Sequence, residues 1–239
     1  MNLDAIDFSI HLHDRNSGTQ KIRRGDRTKT RLFWAGSKVL LELGYRDLNV
    51  EDVCAKAGVA KGTFYIYFKS KEAFLTELAT QYIAFELKTA PSFRSDLRPF
   101  TAVFQWIEWY EQIFAANVGI LRCLVQMSAT SPEALALWHH RNDLIVNQIL
   151  VIFNDLFDLS AVEPSLFRVT VRAAGGIIDQ SLFERLRVQP GPGREETATN
   201  LLLEVHALLF YRGITGRSPE PDEIESVRAL IDPAKPKRI

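Results

Sequence analysis

The stretch that decides the fold is residues 48–68, which read LNVEDVCAKAGVAKGTFYIYF. Asn49 is placed to cap a short helix, because its side chain can accept a hydrogen bond from a backbone N–H of the first turn. Gly58 would end that helix, since glycine accepts the positive φ that a sharp turn demands. A second helix follows at about residues 60–68, and Phe64 and Phe68 give it an apolar side. The stretch therefore predicts a helix-turn-helix.

The side of the second helix that faces away from this core carries residue types suited to DNA, and in such motifs this helix enters the major groove. Lys61 can reach a phosphate or a guanine edge, and Gly62 would let the backbone approach the duplex closely. The hydroxyl groups of Thr63 and Tyr65 come with apolar surface for a thymine methyl group. The DNA-contacting set predicted from this helix and the turn after it is Lys61, Gly62, Thr63, Tyr65, Tyr67 and Lys71, the last two as phosphate contacts.

The charge of the chain is distributed unevenly. In total, 29 Lys and Arg balance 29 Asp and Glu, and a net charge of zero taken alone argues against a nucleic-acid partner. Between residues 21 and 71, however, there are twelve basic and five acidic residues, so this segment carries +7 and the remainder −7. Such a block can be a solvated face. Its coincidence with the helix-turn-helix favours DNA.

Helical periodicity continues on both sides of the motif. Before it, Leu32, Ala35, Val39 and Leu43 recur at spacings of three and four, and Gly44 is a natural stop. After it, Ser70 can cap a further helix. Beyond Pro-rich breaks, amphipathic stretches are predicted at residues 97–117, 119–129, 132–158, 164–188 and 195–213, with a short helix at about 222–231. No run alternates as a strand would, so the predicted class is all-α.

The predicted organisation is an N-terminal three-helix DNA-binding domain followed by a larger C-terminal helical bundle. We predict a flexible arm at residues 1–24, the DNA-binding domain at 25–70, a ligand-binding and dimerisation domain at 71–215 and a tail at 216–239. The arm ends in basic residues that could contact phosphate or a minor groove, or could simply be a disordered tail. The candidate contacts here are Lys21, Arg23, Arg24, Arg27 and Thr28.

Residues 57–68, AGVAKGTFYIYF, and residues 71–75, KEAFL, resemble the DNA-binding domain of the tetracycline-repressor (TetR) family of bacterial transcription regulators. The resemblance covers about residues 28–75. It implies a homodimer that presents its two recognition helices to successive major grooves, about 34–36 Å apart, on a pseudo-palindromic operator. It further implies a small-molecule effector site in the C-terminal bundle and, for most relatives, repression that the effector relieves.

Aromatic residues are concentrated in the middle of the chain, where the resemblance places an effector cavity. The predicted ligand-binding set is Trp106, Trp109, Tyr110, Phe114, Met127, Trp138, Arg172 and Asp179. It suggests a hydrophobic or aromatic small molecule. The alternatives are that the aromatic residues form ordinary core and that Arg172 pairs with an acidic residue on a neighbouring helix.

The last two long helices carry small and apolar stripes that the resemblance assigns to an intersubunit four-helix bundle. The predicted dimer contacts are Ala173, Gly176, Ile177, Leu201, Leu202, Val205, Leu208 and Leu209. The alternative is that both stripes belong to an intramolecular core.

Other classes of function find little support in the sequence. Cys54 and Cys123 form no CxxC pair, the histidines lack zinc-site spacing, and there is no nucleophile, phosphate-loop or dinucleotide motif. We therefore predict no enzyme activity, no metal and no cofactor. The start of the chain lacks a secretory signal and no apolar run could span a membrane, which favours a cytoplasmic protein. Remaining alternatives are an enzyme with an added helix-turn-helix, a protein–protein module that no longer meets DNA, and an activator without small-molecule control.

Overall fold

The computed structural model describes residues 3–17, 24–92, 97–158, 162–186 and 195–224. Within these residues all regular structure is helical and no strand occurs, which confirms the predicted all-α class. A short 3-10 helix, Leu3–Ile6, precedes ten α-helices. They are α1 (Phe8–Ser17), α2 (Arg24–Asp47), α3 (Val50–Ala57), α4 (Lys61–Tyr67), α5 (Lys71–Thr89), α6 (Pro99–Ala116), α7 (Val118–Ser128), α8 (Pro132–Leu156), α9 (Pro164–Arg185) and α10 (Glu195–Thr215).

The chain divides into two compact units. The first combines Met1–Ala90 with Gln112–Leu144, and the second combines Pro91–Glu111 with Ile145–Ile239. Helices α6 and α8 contribute residues to both units. The first unit therefore holds α5 and α7 together with the helix-turn-helix, so the compact units do not follow the boundary predicted at residue 70.

The local signals of the helix-turn-helix are realised as predicted. The Asn49 side chain accepts a 2.8 Å hydrogen bond from the N–H of Asp52 at the start of α3. Gly58 ends α3 in the left-handed region, with φ 64° and ψ 43°. Ser70 caps α5 by accepting a 3.1 Å hydrogen bond from the N–H of Ala73. Gly44 also has positive φ, 77°, and breaks the regular part of α2, which continues to Asp47.

The N-terminal region differs from the predicted arm. Residues 3–17 form the 3-10 helix and α1, in which Ile6, Phe8 and Leu12 are buried. Helix α2 begins at Arg24 rather than at Thr28, so Arg24 and Arg27 belong to a helix. Lys21 and Arg23 lie outside the described residues. The polar residues around Asp14 indicated a loop. The segment is instead held in place because Ile6, Phe8 and Leu12 are buried in the core.

The long C-terminal helices lie where the periodicity predicted them, with bounds that differ by a few residues. The exception is the short helix expected at residues 222–231, where the described part is a 3-10 turn, Pro221–Glu223. Beyond Ile224 the prediction falls outside the described residues. No helix of the described part is long and apolar enough to cross a lipid bilayer.

Helices α2 and α7 of the first unit cross at a glycine. A Cβ atom placed on Gly119 would lie 2.8 Å from the backbone nitrogen of Leu41 and 2.9 Å from the carbonyl carbon of Leu40. Backbone atoms cannot move aside as the end of a side chain can. The close crossing therefore requires glycine at this position.

We expect Gly119→Ala to lower the free energy of unfolding by about 1–3 kcal/mol, the usual cost of overpacking, because α7 must move away from α2. The measurement is urea unfolding followed by circular dichroism. Gly213→Ala is the matched control, since Gly213 lies in α10 with no atom within 4 Å of its virtual Cβ. Equal changes in the two variants would contradict the assignment of Gly119 as a contact point.

Candidate nucleic-acid interface and effector site

Helix α4 has an inward and an outward side. Inward, the Phe64 ring packs edge-on against Phe74 at 5.3 Å between centroids, and Phe68 packs on the same ring at 4.9 Å. Outward, Tyr65 is 50% exposed and Ile66 is 77% exposed. Lys61 and Gly62 are exposed at the start of the helix, and Thr63 is half-buried. The helix thus offers a mixed apolar and polar surface that its own core does not use.

Ile66 was not part of the predicted contact set, yet it is the most exposed large apolar side chain of the described residues. The signal was available in the sequence. Residue 66 follows the core residue Phe64 by two positions, which is about 200° around a helix, so its side chain must point away from the core. Ile66 therefore joins Tyr65 as apolar surface for a thymine methyl group.

Lys61 is paired within the motif. Its ammonium group lies against the carboxylate of Glu51 on α3, and both side chains are more than half exposed. The hydrogen bond that Lys61 donates to Glu51 raises the pKa of Lys61 and lowers the pKa of Glu51. Lys61 is consequently charged and accessible, and a phosphate would have to compete with Glu51 for it.

Lys71, predicted as a phosphate contact, makes contacts within its own unit. Its ammonium group donates a 3.0 Å hydrogen bond to the carbonyl oxygen of Leu48 and lies 5.0 Å from the ring centroid of Tyr45. These contacts tie the start of α5 to the chain that follows α2. The half-buried Lys71 therefore acts in the described structure as a structural cation, which its sequence position beside the motif did not reveal.

The start of α2 lies next to the end of α4. The hydroxyl oxygen of Tyr67 is 3.5 Å from the position that a Cβ on Gly25 would take. Arg27 is exposed and Thr28 half-buried near this point, and Arg24 begins the same helix. The structure thus brings the predicted phosphate contacts of α2 and Tyr67 of α4 into one neighbourhood.

Several basic residues of the +7 segment are used inside the unit. Lys29 pairs with Glu77, and Lys56 pairs with Glu42. The Arg31 guanidinium donates to the carbonyl oxygen of Ala57 at the end of α3. The net charge of the segment therefore overstates the positive surface that is free to meet phosphate.

The predicted ligand-binding residues are distributed over both compact units. Trp106, Trp109 and Tyr110 on α6 belong to the second unit together with Arg172 and Asp179 of α9. The remaining three, Phe114, Met127 and Trp138, belong to the first unit. Phe114 and Met127 are buried core residues there, and Trp138 lies under the guanidinium of Arg141 at 5.3 Å. Spacing along the chain could not separate the two groups, because α6 and α8 each pass through both units.

Within the second unit, aromatic rings and charged groups alternate along α6. Trp106 stacks on Tyr110 at 5.4 Å and on Phe210 of α10 at 6.2 Å between ring centroids. The Tyr110 hydroxyl donates to the carboxylate of Asp179. The next residue, Glu111, is buried and lies 2.6 Å from the imidazole Nδ1 of His206 on α10.

Two polar groups of this cluster have no partner among the described residues. The side chains of Trp106 and Trp109 are only 5% and 1% exposed, and their indole N–H groups are buried without an acceptor. The Nη1 atom of Arg172 is also buried without a hydrogen bond among the described residues. An unpaired buried donor costs about 1–3 kcal/mol, which makes such groups natural places for a ligand acceptor.

Both cysteines lie in the core. Cys54 and Cys123 are buried and form no disulfide bond, and burial raises the pKa of Cys123 to about 12. A thiol held protonated in this way is a poor nucleophile. Across the residues that the structure describes, no three His, Cys, Asp or Glu side chains come together as metal ligands.

The stripe on α9 is exposed in the described chain. Val169, Ala173, Gly176 and Ile177 all face solvent, as do Leu201 and Leu209 on α10. Leu202 and Val205 are half-buried. Leu208 is the exception, because it is 2% exposed and belongs to the core with its neighbour Ala207. The predicted dimer contact of Leu208 is therefore corrected.

Helix α3, with its ends at Asn49 and Gly58, and the exposed helix α4 define a helix-turn-helix protein of the all-α class. Residues 33–78 match the family model described as bacterial regulatory proteins, tetR family. This segment, which contains the helix-turn-helix, is assigned to the TetR family.

Comparisons with individual proteins agree with this assignment. The transcriptional repressor DhaR of Mycobacterium sp. (strain GP1) is 39% identical over 61 residues, 26% of this chain and 31% of DhaR. The chain spans about a quarter to about half of the length of the curated relatives it matches. These relatives are named as regulators and not as enzymes.

Two solved structures share the fold over most of the chain. A TetR-family regulator of Mesorhizobium loti has a TM-score of 0.62 at 15% identity and covers 82% of this chain and 98% of its own. The flavonoid-responsive regulator FrrA has a TM-score of 0.51 at 20% identity and covers 78% and 96%. At such identities the likeness concerns the fold alone.

Proposed function

We propose that this protein is a homodimeric transcription regulator that represses from a palindromic operator and is released by a small aromatic molecule. The observation that carries the proposal is the outward side of α4, where Tyr65 and Ile66 are exposed although they are large and partly apolar. Exposing large apolar side chains to water does not stabilise a monomer. Base edges in a major groove provide the missing partner.

Contacts to the duplex follow from the positions of the side chains. Tyr65 and Ile66 would meet thymine methyl groups, and Lys61 would exchange Glu51 for a phosphate or guanine. Gly62 has no atom within 4 Å of its virtual Cβ, so this side of α4 is open to a close approach. Arg27 would contact a phosphate flanking the groove.

The proposed effector site lies in the second unit. Its rings are those of Trp106, Tyr110 and Phe210, and its unpaired donors are the indole N–H groups of Trp106 and Trp109. A flat ligand with a carbonyl or ether oxygen would satisfy these donors and stack on the rings. Repression and an aromatic effector are also consistent with the names of DhaR and of the flavonoid-responsive FrrA.

The proposal predicts how single substitutions change DNA binding. An operator is first selected from a random duplex library with the wild-type protein, and affinities are then measured by fluorescence anisotropy. We expect Tyr65→Ala to weaken the free energy of operator binding by about 1–3 kcal/mol and to relax the base preference at one base pair in each half-site. Arg27→Ala should weaken all duplexes alike and lower the salt slope by about one unit.

Thr80→Ala serves as the control, since Thr80 is exposed on α5 and bonds only within its own helix. It should bind as the wild type does. Failure of the selection to yield a two-fold symmetric sequence, or full operator affinity in Tyr65→Ala, would refute the proposed interface.

A further inference from the structure

The N-terminal strap, which we define as residues 3–17, is an element that the proposed function does not use. Three of its apolar side chains are almost completely buried, with Ile6 and Phe8 1% exposed and Leu12 2% exposed. Asp7 begins α1 by accepting hydrogen bonds from the N–H groups of Ser9 and Ile10, at 2.7 and 3.2 Å. The strap is therefore an ordered element that packs within the first unit.

The strap contacts α5 and α2 through aromatic rings. Phe8 packs on Phe85 of α5 at 5.2 Å and edge-on against Tyr82 at 5.8 Å between ring centroids. The ring of His11 lies 4.9 Å from the ring of Phe85. The ring of His13 lies 6.3 Å from the ring of Trp34 on α2, again between centroids. One short segment thus touches both α2, the first helix of the DNA-binding head (residues 25–70), and α5, the helix that follows the head.

A single buried side chain joins the strap to the junction of α6 and α7. The Asn117 Oδ1 atom accepts a 2.9 Å hydrogen bond from the backbone N–H of Phe8. Its Nδ2 group donates 2.8 Å hydrogen bonds to the carbonyl oxygens of Ile6 and Ile113. Without the Asn117 amide, the N–H of Phe8 and the carbonyl oxygen of Ile6 would be buried without these partners. The hydrogen bonds of Asn117 therefore stabilise the strap in its docked position.

The anchor lies beside the crossing of α2 and α7. Gly119, where α7 meets the backbone of Leu40 and Leu41, is only two residues beyond Asn117. The strap, α2 and α7 also line one cleft together, with Asp7, Lys38 and Asn117 among its residues. Any motion that separates α7 from α2 must therefore strain or release the hydrogen bonds of Asn117 to the strap.

We propose that the N-terminal strap is a conformational latch that holds α7 against α2 and so keeps the DNA-binding head in the orientation that fits an operator. A docked strap lowers the number of head orientations in the free protein, so less entropy is lost when DNA binds. An undocked strap frees the head and weakens the operator complex. Asn117 is the positioning residue of this latch.

The test compares full-length variants by hydrogen–deuterium exchange and by operator affinity. Asn117→Ala should speed exchange of the backbone amides of α1 and also of α2 around Leu40 and Leu41. Operator affinity should fall by roughly tenfold, within the usual 5- to 150-fold range of coupling between sites, with an unchanged salt slope. Leu3→Ser is the control, because Leu3 is 63% exposed and should alter neither readout.

Phe8→Leu provides the same test if Asn117→Ala does not fold, since it keeps an apolar side chain but removes the ring contacts with Tyr82 and Phe85. Faster exchange in α1 with wild-type exchange in α2 and wild-type operator affinity would overturn the latch, as would unchanged exchange in α1. The affinity readout depends on the proposed function, whereas the exchange readout needs no DNA, so the failure of one idea can be told from that of the other.

Discussion

Arg141→Met is expected to lower the free energy of unfolding by about 3–5 kcal/mol, the cost of leaving a buried charge without its partner. Arg141 and Glu86 are both fully buried in the first unit, where they join α8 to α5. The guanidinium donates through Nε to one carboxylate oxygen at 2.7 Å and through Nη2 to the other. The Tyr82 hydroxyl donates a further 3.1 Å hydrogen bond to Glu86.

Urea unfolding followed by circular dichroism measures the effect. The informative control is the double variant Glu86→Leu with Arg141→Met, which removes both charges and keeps apolar bulk. Replacing a buried ion pair in this way is often neutral or stabilising, so the double variant should regain most of the loss. A loss below about 1 kcal/mol in the single variant would mean that water or another group compensates Glu86.

Ile177→Glu is expected to dissociate the proposed dimer. The free energy of dimerisation should weaken by about 4 kcal/mol, which raises Kd roughly a thousandfold. Ile177 is 59% exposed and continues a stripe of exposed apolar residues on α9 that includes Leu166 and Val169. In a two-fold symmetric dimer the same patch is used by both subunits. A single substitution therefore buries two like charges close to the axis.

Sedimentation velocity over a range of protein concentrations gives the dimer constant directly. Val151→Glu is the matched control, because Val151 is 64% exposed on α8 of the same unit and lies outside the stripe. It should leave the dimer intact. If Ile177→Glu also sediments as a dimer, the subunit contact must be sought away from α9.

Local chemistry explains what could be predicted. Asn49, Gly58 and Ser70 mark helix ends because their side chains, or the lack of one, satisfy or permit particular backbone geometries within three residues. The outward residues Lys61, Gly62 and Tyr65 follow from the helical period once Phe64 is known to be buried. These inferences need only neighbours in the chain, so they hold without knowledge of the rest of the fold.

Features that depend on distant residues could not be predicted in the same way. Lys71 donates to a carbonyl group 23 positions earlier in the chain. The segment around Phe8 becomes ordered because Tyr82, Phe85 and Asn117 give it a place to pack. The indole N–H groups of α6 can be recognised as unpaired only from the positions of the surrounding acceptors in the folded chain.

The sequence by itself determined the all-α class, the ends of most helices and the outward side of the recognition helix, because each rests on periodicity and capping over a few residues. Only the tertiary structure decided that residues 3–17 pack into the first unit, that Leu208 is core and Ile177 is surface, and that the middle aromatic residues divide between two units. The physical reason is that burial is a property of the whole packed chain, and helices such as α6 and α8 place adjacent turns in different surroundings.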